Sequence, residues 1–471
     1  MNKIKWYIAV TVVIVGILSA SCSEDNKITH NNVEVSNPEL KAILMSRGYN
    51  FNEAGQLVQD EKVLETISFD LSGTKIASPS GLDIFPNLKE VNLSNNAYGP
   101  LFDFSVLPGK VTAVDLTGNQ IYDFEGLVNV KVVNDEQQIT ILHTLTKLYL
   151  PETAKYNVED LVPFYESAGK SVEMKMEDDK GILTAYNTLR EIPDTYFRAY
   201  LKMKFASLFP NNGQLIDISK PMSLAEQGEN IVLWDNNQFE DIAKIQSIEG
   251  LEYFVNNPYY KSFFVSIGYD KHFTVSRLAP RDNVRGLQFS SISTPDGLDL
   301  SKARNVANVA LNNDEYLTEL DLSATAVTNQ EIADIEISSS LGNMLRCTGC
   351  KNLKQIKFPS PNKKIITNLT LANLPALESL DLSSIEGWSG LELFGLENCT
   401  ITYPDNLKYY FKNATGELLE LSSANRLSFT ISEDVFKKPQ TRNFISRYKS
   451  YMRDGYTEFG EFAEYPWSKN L

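Results

Sequence analysis

The chain has 471 residues, of which 42% are hydrophobic and 22% are charged, values that exclude a collagen, a disordered polymer and a disulfide-stapled miniprotein. Its formal charge is −16, and setting aside Lys3 and Lys5 of the first 21 residues leaves 42 basic against 60 acidic residues, or −18. Such a charge repels phosphate backbones and anionic lipid surfaces, so no nucleic acid is expected as a partner.

The first 22 residues have the pattern of an export signal. A short basic start is followed by an apolar run at residues 7–18 and by small residues directly before Cys22. This pattern resembles the signal peptide of bacterial lipoproteins, although Ser19 stands where that family usually has leucine. The resemblance implies that residues 1–21 are removed and that Cys22 becomes the acylated N-terminal residue. A membrane-spanning helix is the poorer alternative, because the whole stretch from Ile4 to Ala20 is only 17 residues long and contains Lys5.

A polar stretch, residues 22–35, follows the signal and is expected to be a flexible tether. It contains Ser23, Glu24 and Asp25, which resemble the short acidic tag of surface-exposed lipoproteins in some Gram-negative anaerobes. The resemblance implies a protein that is anchored by lipid in the outer membrane and exposed on the cell surface. Retention at the inner leaflet is the alternative.

A helix is expected at residues 37–47, where apolar residues recur on one face. Behind it, Asn50, Asn52 and Glu61 fall on positions 1, 3 and 12 of the calcium loop of an EF-hand. Position 5 of that loop is Ala54, which offers no ligand oxygen. A plain turn from helix to strand is therefore the favoured interpretation, with calcium as the weaker one.

The following segment repeats the spacing L-x-x-L-x-L-x-x-N with a period of 23 residues. The matching positions are Leu88, Val91, Leu93 and Asn96, then Val111, Val114, Leu116 and Asn119. The spacing resembles leucine-rich repeats of the internalin-like kind. It implies short strands whose apolar side chains point inward and whose Asn turns the chain. The residues between the inward positions are predicted to form one outward binding row, namely Asp70, Asn92, Asp115 and Tyr149.

A second helix is expected at residues 195–209, and a second array with a period near 23 follows it. Two interleaved series of apolar strand centres are offset by about half a coil, which predicts two short strands on opposite sides of each turn. One series is Phe289, Leu311, Ile335, Phe358 and Leu382, and the other is Leu322, Cys347, Leu371, Leu393 and Leu419. Asp321, Asp381 and Glu392 are predicted to add to the outward row.

The phrase from Cys350 to Pro359 resembles the Cys-Lys-Asn-Leu repeats of bacterial surface proteins. Cys347 and Cys350 form C-x-x-C, but Cys347 sits at a predicted strand centre, so core thiols are expected. A disulfide within the pair or to Cys399 is the alternative. Zinc would need a second pair of ligands, which the three scattered histidines do not supply, so no metal is predicted.

A last helix is expected at residues 441–454. Aromatic residues are dense at residues 253–273 and near the C-terminus, and most are expected to be core, while Trp467 is the best candidate for an exposed binding ring. The sequence contains no G-x-S-x-G, no H-E-x-x-H and no phosphate-binding Gly-rich loop. The chain is therefore predicted not to be an enzyme.

The predicted fold is an α/β leucine-rich-repeat solenoid, strand-rich, with two arrays and helical caps. The predicted divisions are the signal peptide at 1–21, the lipidated Cys and tether at 22–35, the first cap and array at 36–182, the second cap and array at 183–430, and a C-terminal helical cap at 431–471. The predicted function is a cell-surface, non-enzymatic protein-binding or adhesion module without a cofactor. A glycan-binding protein that uses exposed aromatics is the alternative, and a glycoside hydrolase is the third candidate.

Overall fold

The computed structural model describes residues 31–133, 136–234, 239–260, 263–328, 343–359, 365–412 and 418–453. The predicted signal peptide, Cys22 and Trp467 lie outside these residues. Within them, no helix is both long enough and apolar enough to cross a membrane.

Helices are few and short, and the predicted strand-rich character is confirmed. The helices are α1 (Pro38–Ser46), α2 (Glu61–Leu64), α3 (Leu161–Ala168), α4 (Thr195–Lys204), α5 (Glu252–Val255), α6 (Glu433–Phe436) and α7 (Pro439–Tyr448). The three helices expected from the sequence correspond to α1, α4 and α7. Helix α1 begins where the side chain of Asn37 accepts hydrogen bonds from the backbone N–H groups of Glu39 and Leu40, and it buries Leu40 and Leu44.

The first part of the chain forms a six-stranded sheet with the order β12-β11-β10-β6-β4-β3, parallel except for β12. The strands here are β1 (Asn32–Val33), β2 (Leu57–Val58), β3 (Ser68–Asp70), β4 (Glu90–Asn92), β5 (Leu101–Asp103), β6 (Ala113–Asp115), β7 (Asp123–Glu125), β8 (Val128–Val133), β9 (Glu136–Ile141), β10 (Lys147–Leu150), β11 (Glu173–Glu177), β12 (Leu183–Ala185), β13 (Leu189–Glu191) and β14 (Leu215–Asp217). Strands β8 and β9 form an antiparallel hairpin. The hairpin is inserted in the sequence between β6 and β10, which are neighbours in the sheet.

The second part forms an eight-stranded parallel sheet with the order β15-β16-β17-β18-β20-β22-β24-β28. Its part of the chain contains β15 (Ile231–Trp234), β16 (Phe263–Thr274), β17 (Val284–Ser293), β18 (Asn308–Asn312), β19 (Glu319–Asp321), β20 (Met344–Thr348), β21 (Gln355–Lys357), β22 (Asn368–Ala372), β23 (Ser379–Asp381), β24 (Gly390–Phe394), β25 (Thr400–Thr402), β26 (Tyr409–Lys412), β27 (Leu418–Glu420) and β28 (Ser428–Ile431). The short parallel pairs β19–β21 and β23–β25 alternate along the chain with the strands of the long sheet.

The two predicted series of strand centres were assigned partly wrongly. The structure places five of their members in register in the long sheet, namely Phe289, Leu311, Cys347, Leu371 and Leu393. Leu322, Phe358 and Leu382 each follow a strand of the short pairs directly. The reason is an uneven spacing: Leu311 pairs with Cys347, 36 positions later, whereas Cys347 pairs with Leu371, 24 positions later. Counting along the sequence at a constant period therefore moves from strands of the long sheet to strands of the short pairs.

Three predicted boundaries fall on paired or buried residues of the structure. Asn32–Val33 pairs with β2 and Val35 is buried, so the end of the predicted tether belongs to the folded body. The boundary at 182 falls between β11 and β12, which pair with each other in one sheet. The boundary at 431 falls on the last residue of β28.

The two parts of the chain meet at a junction where one of two hydrophobic cores includes residues of both parts. One core extends from Val35 to Tyr186, and the other contains residues from 192 to 452 together with four residues of the first part, Tyr122, Tyr156, Val158 and Val162. Charged groups also cross this junction. The Arg281 side chain donates to Glu159 at 2.6 Å and to Asp123 at 3.0 Å. With the Arg277–Asp123 bond at 3.1 Å, these contacts form a largely buried network that ties the two parts together.

Asp160 is the buried acid beside this network. Burial raises the pKa of its carboxyl from 3.8 to about 7, and Glu159 adds to the rise. The folded state therefore retains a proton that the unfolded state has released, so the free energy of unfolding falls as pH rises from about 4 toward 7. Between pH ~5 and ~7, we expect the free energy of unfolding of Asp160→Asn to decrease by about 2 kcal/mol less than that of the unchanged protein. Denaturant unfolding across this pH range measures the difference. An unchanged slope would mean that Asp160 is already ionised at pH ~5 in the folded protein.

Candidate functional site

The predicted outward row of the first sheet is continuous in the structure. Asp70 pairs with Asn92, Asn92 with Asp115, and Asp115 with Tyr149, each pair lying in register on neighbouring parallel strands. Lys175 of β11 pairs with Tyr149 and extends the row by one strand. All five side chains are exposed or half-buried. We call these five residues the outward row.

Strand alternation explains why this row faces solvent. The residues that precede the row members by one position are buried, and Val91, Val114 and Leu148 have no exposed surface. Because successive side chains of a strand point to opposite faces, burying these residues turns the row outward. A second outward line runs parallel to it and contains Ser68, Glu90, Ala113, Lys147 and Glu173.

The acidic members of the row also shape the turn that follows each strand. The Oδ1 atom of Asp70 accepts from the backbone N–H of Ser72 at 2.9 Å, and Asp115 accepts in the same way from Thr117 at 3.0 Å. The same bond, two residues on, is made by Asn92, Asp217, Asp299, Asp321 and Asp381. Each is an Asx-turn that ends a strand or bends a loop. The acids of the row therefore have a structural role besides any contact with a partner.

Tyr149 lies at the centre of a charged cluster. Its hydroxyl donates to Glu173 at 2.7 Å, and the ammonium groups of Lys147 and Lys175 lie 4.7 and 5.2 Å from the centre of its ring. Lys147 in turn pairs with Glu90 at 2.5 Å. These contacts hold the phenol ring in one orientation on the exposed face.

The hydrogen bonds of the face keep its charges fixed at neutral pH. The backbone N–H of Ser72 lowers the pKa of Asp70, and the side chain of Lys175 lowers the pKa of Glu173. The hydrogen bond to Glu173 raises the pKa of Tyr149, so its phenol stays protonated. The face therefore presents both signs of charge, with acids in excess.

The acidic residues predicted for the second array do not form one row. Asp321 lies in β19 and Asp381 in β23, both on the side of the short strand pairs. Glu392 lies in β24 of the long sheet, where it accepts from the hydroxyl of Thr370 at 2.9 Å. The prediction that Glu392 shares a row with the two aspartates is wrong, for the same reason of uneven spacing.

The weak calcium candidate is organised by its own hydrogen bonds. Asn52 accepts from the backbone N–H of Gln56 at 2.9 Å, and its amide donates to the Gln56 side chain. Asn50 donates to Asp60 at 2.6 Å, while Glu61 opens helix α2. Across the described residues, no group of three or more His, Cys, Asp or Glu side chains is placed to hold a metal ion. The segment is a turn that leads into β2.

The cysteines and most of the clustered aromatics are interior. Cys347, Cys350 and Cys399 are buried free thiols, and burial raises the pKa of Cys399 to about 11. In the aromatic segment, Tyr253, Phe254, Tyr260, Phe264 and Phe273 are all buried. The core interpretation of both groups agrees with the structure.

Sequence reasoning missed the part of the face that lies on β11. Glu173 and Lys175 belong to a strand whose alternation, Glu-Met-Lys-Met-Glu, carries no leucine and no turning Asn. Period-two alternation around Met174 was the available signal.

Comparison with known protein families finds no family model that matches the chain, and no curated protein is similar enough to count as a relative.

Proposed function

We propose that this chain is a lipid-anchored leucine-rich-repeat protein of a Gram-negative cell surface that acts as a non-enzymatic protein-binding or adhesion module. The observation that carries the proposal is the outward row, which is in register across five parallel strands. Neighbouring strands lie about 4.8 Å apart, so the row is about 19 Å long. That length suits an extended segment of a partner protein.

The repeat assignment is supported by spacing and by the turning asparagines. Phe69 pairs with Val91 and Val91 with Val114, at intervals of 22 and 23 residues. Asn119 accepts from the backbone N–H of Asn96 and donates to the carbonyl of Leu93, so it bonds the preceding coil. Stacked coils that share one core and one asparagine position are the arrangement expected of a leucine-rich-repeat solenoid.

The proposed cellular localisation of the protein rests on the sequence pattern. Cys22 follows an apolar run and small residues, as in lipoproteins, and the acidic stretch behind it fits export to the surface. Acylation there would place the lipid in the bilayer and leave the folded body outside.

The proposed partner is an extracellular protein with basic side chains opposite the acidic end of the row. Asp70 and Asp115 each use Oδ1 for the following turn and keep their charge on the exposed face. Tyr149, held between two lysines, adds a ring with a fixed orientation. Charged rims of this kind steer association and set specificity.

We expect Asp70→Asn combined with Asp115→Asn to weaken partner binding by about tenfold and to reduce its salt dependence. Asparagine keeps the Oδ1 acceptor, as Asn92 already shows in the same row, so folding should be unaffected. The partner is first identified by a photo-crosslinking amino acid placed at Tyr149 in the full-length protein on living cells, and affinity is then measured with the purified partner.

The matched control is Asp321→Asn combined with Asp381→Asn, because both residues make the same turn outside the row. This control variant should bind as the unchanged protein does. Equal crosslinking from positions 149 and 321, or equal affinity of the two double variants, would contradict the proposal.

A further inference from the structure

The polar face of the eight-stranded sheet differs in chemistry from the face that carries the outward row. One in-register line across it contains Ser266, Gln288, Ala310, Arg346, Thr370 and Glu392. Only one cation and one anion occur among these six residues, and the others are small or uncharged. Ser266, Ala310 and Thr370 are buried, whereas Gln288, Arg346 and Glu392 are half-buried. The line therefore presents few charges and one accessible uncharged amide, that of Gln288.

An exposed tryptophan lies at one end of this face. Trp234 is the last residue of the edge strand β15, and 42% of its surface is exposed. Its indole N–H donates to the hydroxyl of Ser266 on the neighbouring strand at 2.8 Å. The six-membered part of the ring lies over Gly268, where a Cβ atom would come within 2.2 Å of Cη2 and Cζ3. Glycine is thus required at position 268 for the ring to rest on the strand.

Amide groups continue from the ring along the face. The Ser266 hydroxyl donates to Gln288 Oε1 at 3.2 Å, and Gln288 Nε2 donates to Asn308 Oδ1 at 3.0 Å. Together with the indole N–H these bonds form a chain of uncharged donors and acceptors across four strands. Such a chain fixes the orientation of each amide beside the ring.

We propose that Trp234 and the adjoining amides form a binding subsite for a neutral polysaccharide. A pyranose ring presents apolar C–H groups on its face and hydroxyl groups at its rim. The former pack on an exposed aromatic ring, and the latter bond to an oriented, half-buried amide such as that of Gln288, which the buried Asn308 holds in place. A charged ligand would find few counter-charges here, so the neutral class is favoured.

This subsite is independent of the proposed protein-binding face. Trp234 lies in the edge strand of the long sheet, whereas the outward row lies in the six-stranded sheet. The Asp70→Asn, Asp115→Asn double variant should therefore keep its sugar binding, so failure of one proposal leaves the other standing.

The test is isothermal titration of the full-length protein, purified in a detergent without a sugar headgroup. The probes are neutral hexasaccharides of β-1,4-glucan, α-1,4-glucan, β-1,4-mannan and β-1,4-xylan. At least one probe should bind with a Kd below about 1 mM, and Trp234→Ala should weaken it by about tenfold or more, whereas Trp234→Phe should retain most of the affinity. Gly268→Ala should also weaken binding, because the added Cβ displaces the indole without removing it.

Two further variants keep the test decisive. Gln288→Ala removes an amide beside the ring and should weaken binding even if Trp234→Ala folds poorly. Tyr316→Ala removes another exposed ring, 56% accessible and placed between β18 and β19, and should leave binding unchanged. Absence of binding by every probe at about 10 mM, or binding that Trp234→Ala and Gln288→Ala leave intact, would overturn the proposal.

Discussion

Replacing Arg281 with methionine is expected to lower the free energy of unfolding by about 3 kcal/mol. The guanidinium is 5% exposed and donates to Glu159, to Asp123 and to the carbonyl of Ala279. Methionine fills similar space but leaves two carboxylates at the junction short of a partner. Arg277 still pairs with Asp123, and Lys302 still pairs with Glu159. The expected loss of free energy of unfolding is therefore near the lower end of the range for breaking a buried ion pair.

Arg304→Met provides the matched control for this experiment. Arg304 pairs with Asp282, but its side chain is 75% exposed, so its loss should cost less than about 1 kcal/mol. Both variants are compared by denaturant unfolding at neutral pH. If Arg281→Met costs no more than Arg304→Met, the bonds of Arg281 at the junction do not contribute measurably to stability.

The junction could not be predicted from the sequence, for a physical reason. Arg281 lies 122 positions from Glu159 and 158 positions from Asp123 in the sequence. The local sequence around each of these residues gives no sign of a distant partner. Only the stacking of the two parts brings them together and buries them. Local periodicity carries information about which face a residue occupies, but not about which distant residue it meets.

The first sheet was predictable wherever polar and apolar residues alternate at the spacing of the leucine-rich repeats. Asp70, Asn92, Asp115 and Tyr149 fell into one row because each stands next to a buried apolar residue in a three- or four-residue strand. Strand β11 alternates around methionines and has no leucine, so its Lys175 was missed.

The second sheet could not be predicted from a single repeat period, because the intervals between its strands are uneven. Glu392 was assigned to the wrong set of strands because the interval from Leu311 to Cys347 is longer than the next one by half a coil. Trp234 was missed because nothing in its sequence neighbourhood shows that Gly268, on the next strand, makes room for an exposed ring. That information arises only from the pairing of β15 with β16.

Asn119→Ala is expected to lower the free energy of unfolding by about 4 kcal/mol. The Asn119 side chain is 2% exposed. It forms hydrogen bonds with backbone groups of its own repeat and of the preceding one. Its amide donates to the carbonyls of Leu93 and Leu116 at 3.0 and 2.8 Å, and its oxygen accepts from the N–H groups of Asn96 and Tyr98 at 3.0 and 3.1 Å. Alanine leaves these four groups without that partner, at about 1 kcal/mol or more each.

Asn119→Asp separates the donor role of this side chain from its packing. The carboxylate keeps nearly the same shape and can still accept, but it sets an oxygen against the two carbonyls, so we expect a loss as large as that of alanine. Asn398→Ala is the control, because this exposed amide makes a single bond to the carbonyl of Pro375 and should cost less than about 1 kcal/mol. If Asn119→Asp were as stable as the unchanged protein while alanine was not, the two donated bonds would not contribute, and the accepted bonds and the packing of the side chain would account for the effect of alanine.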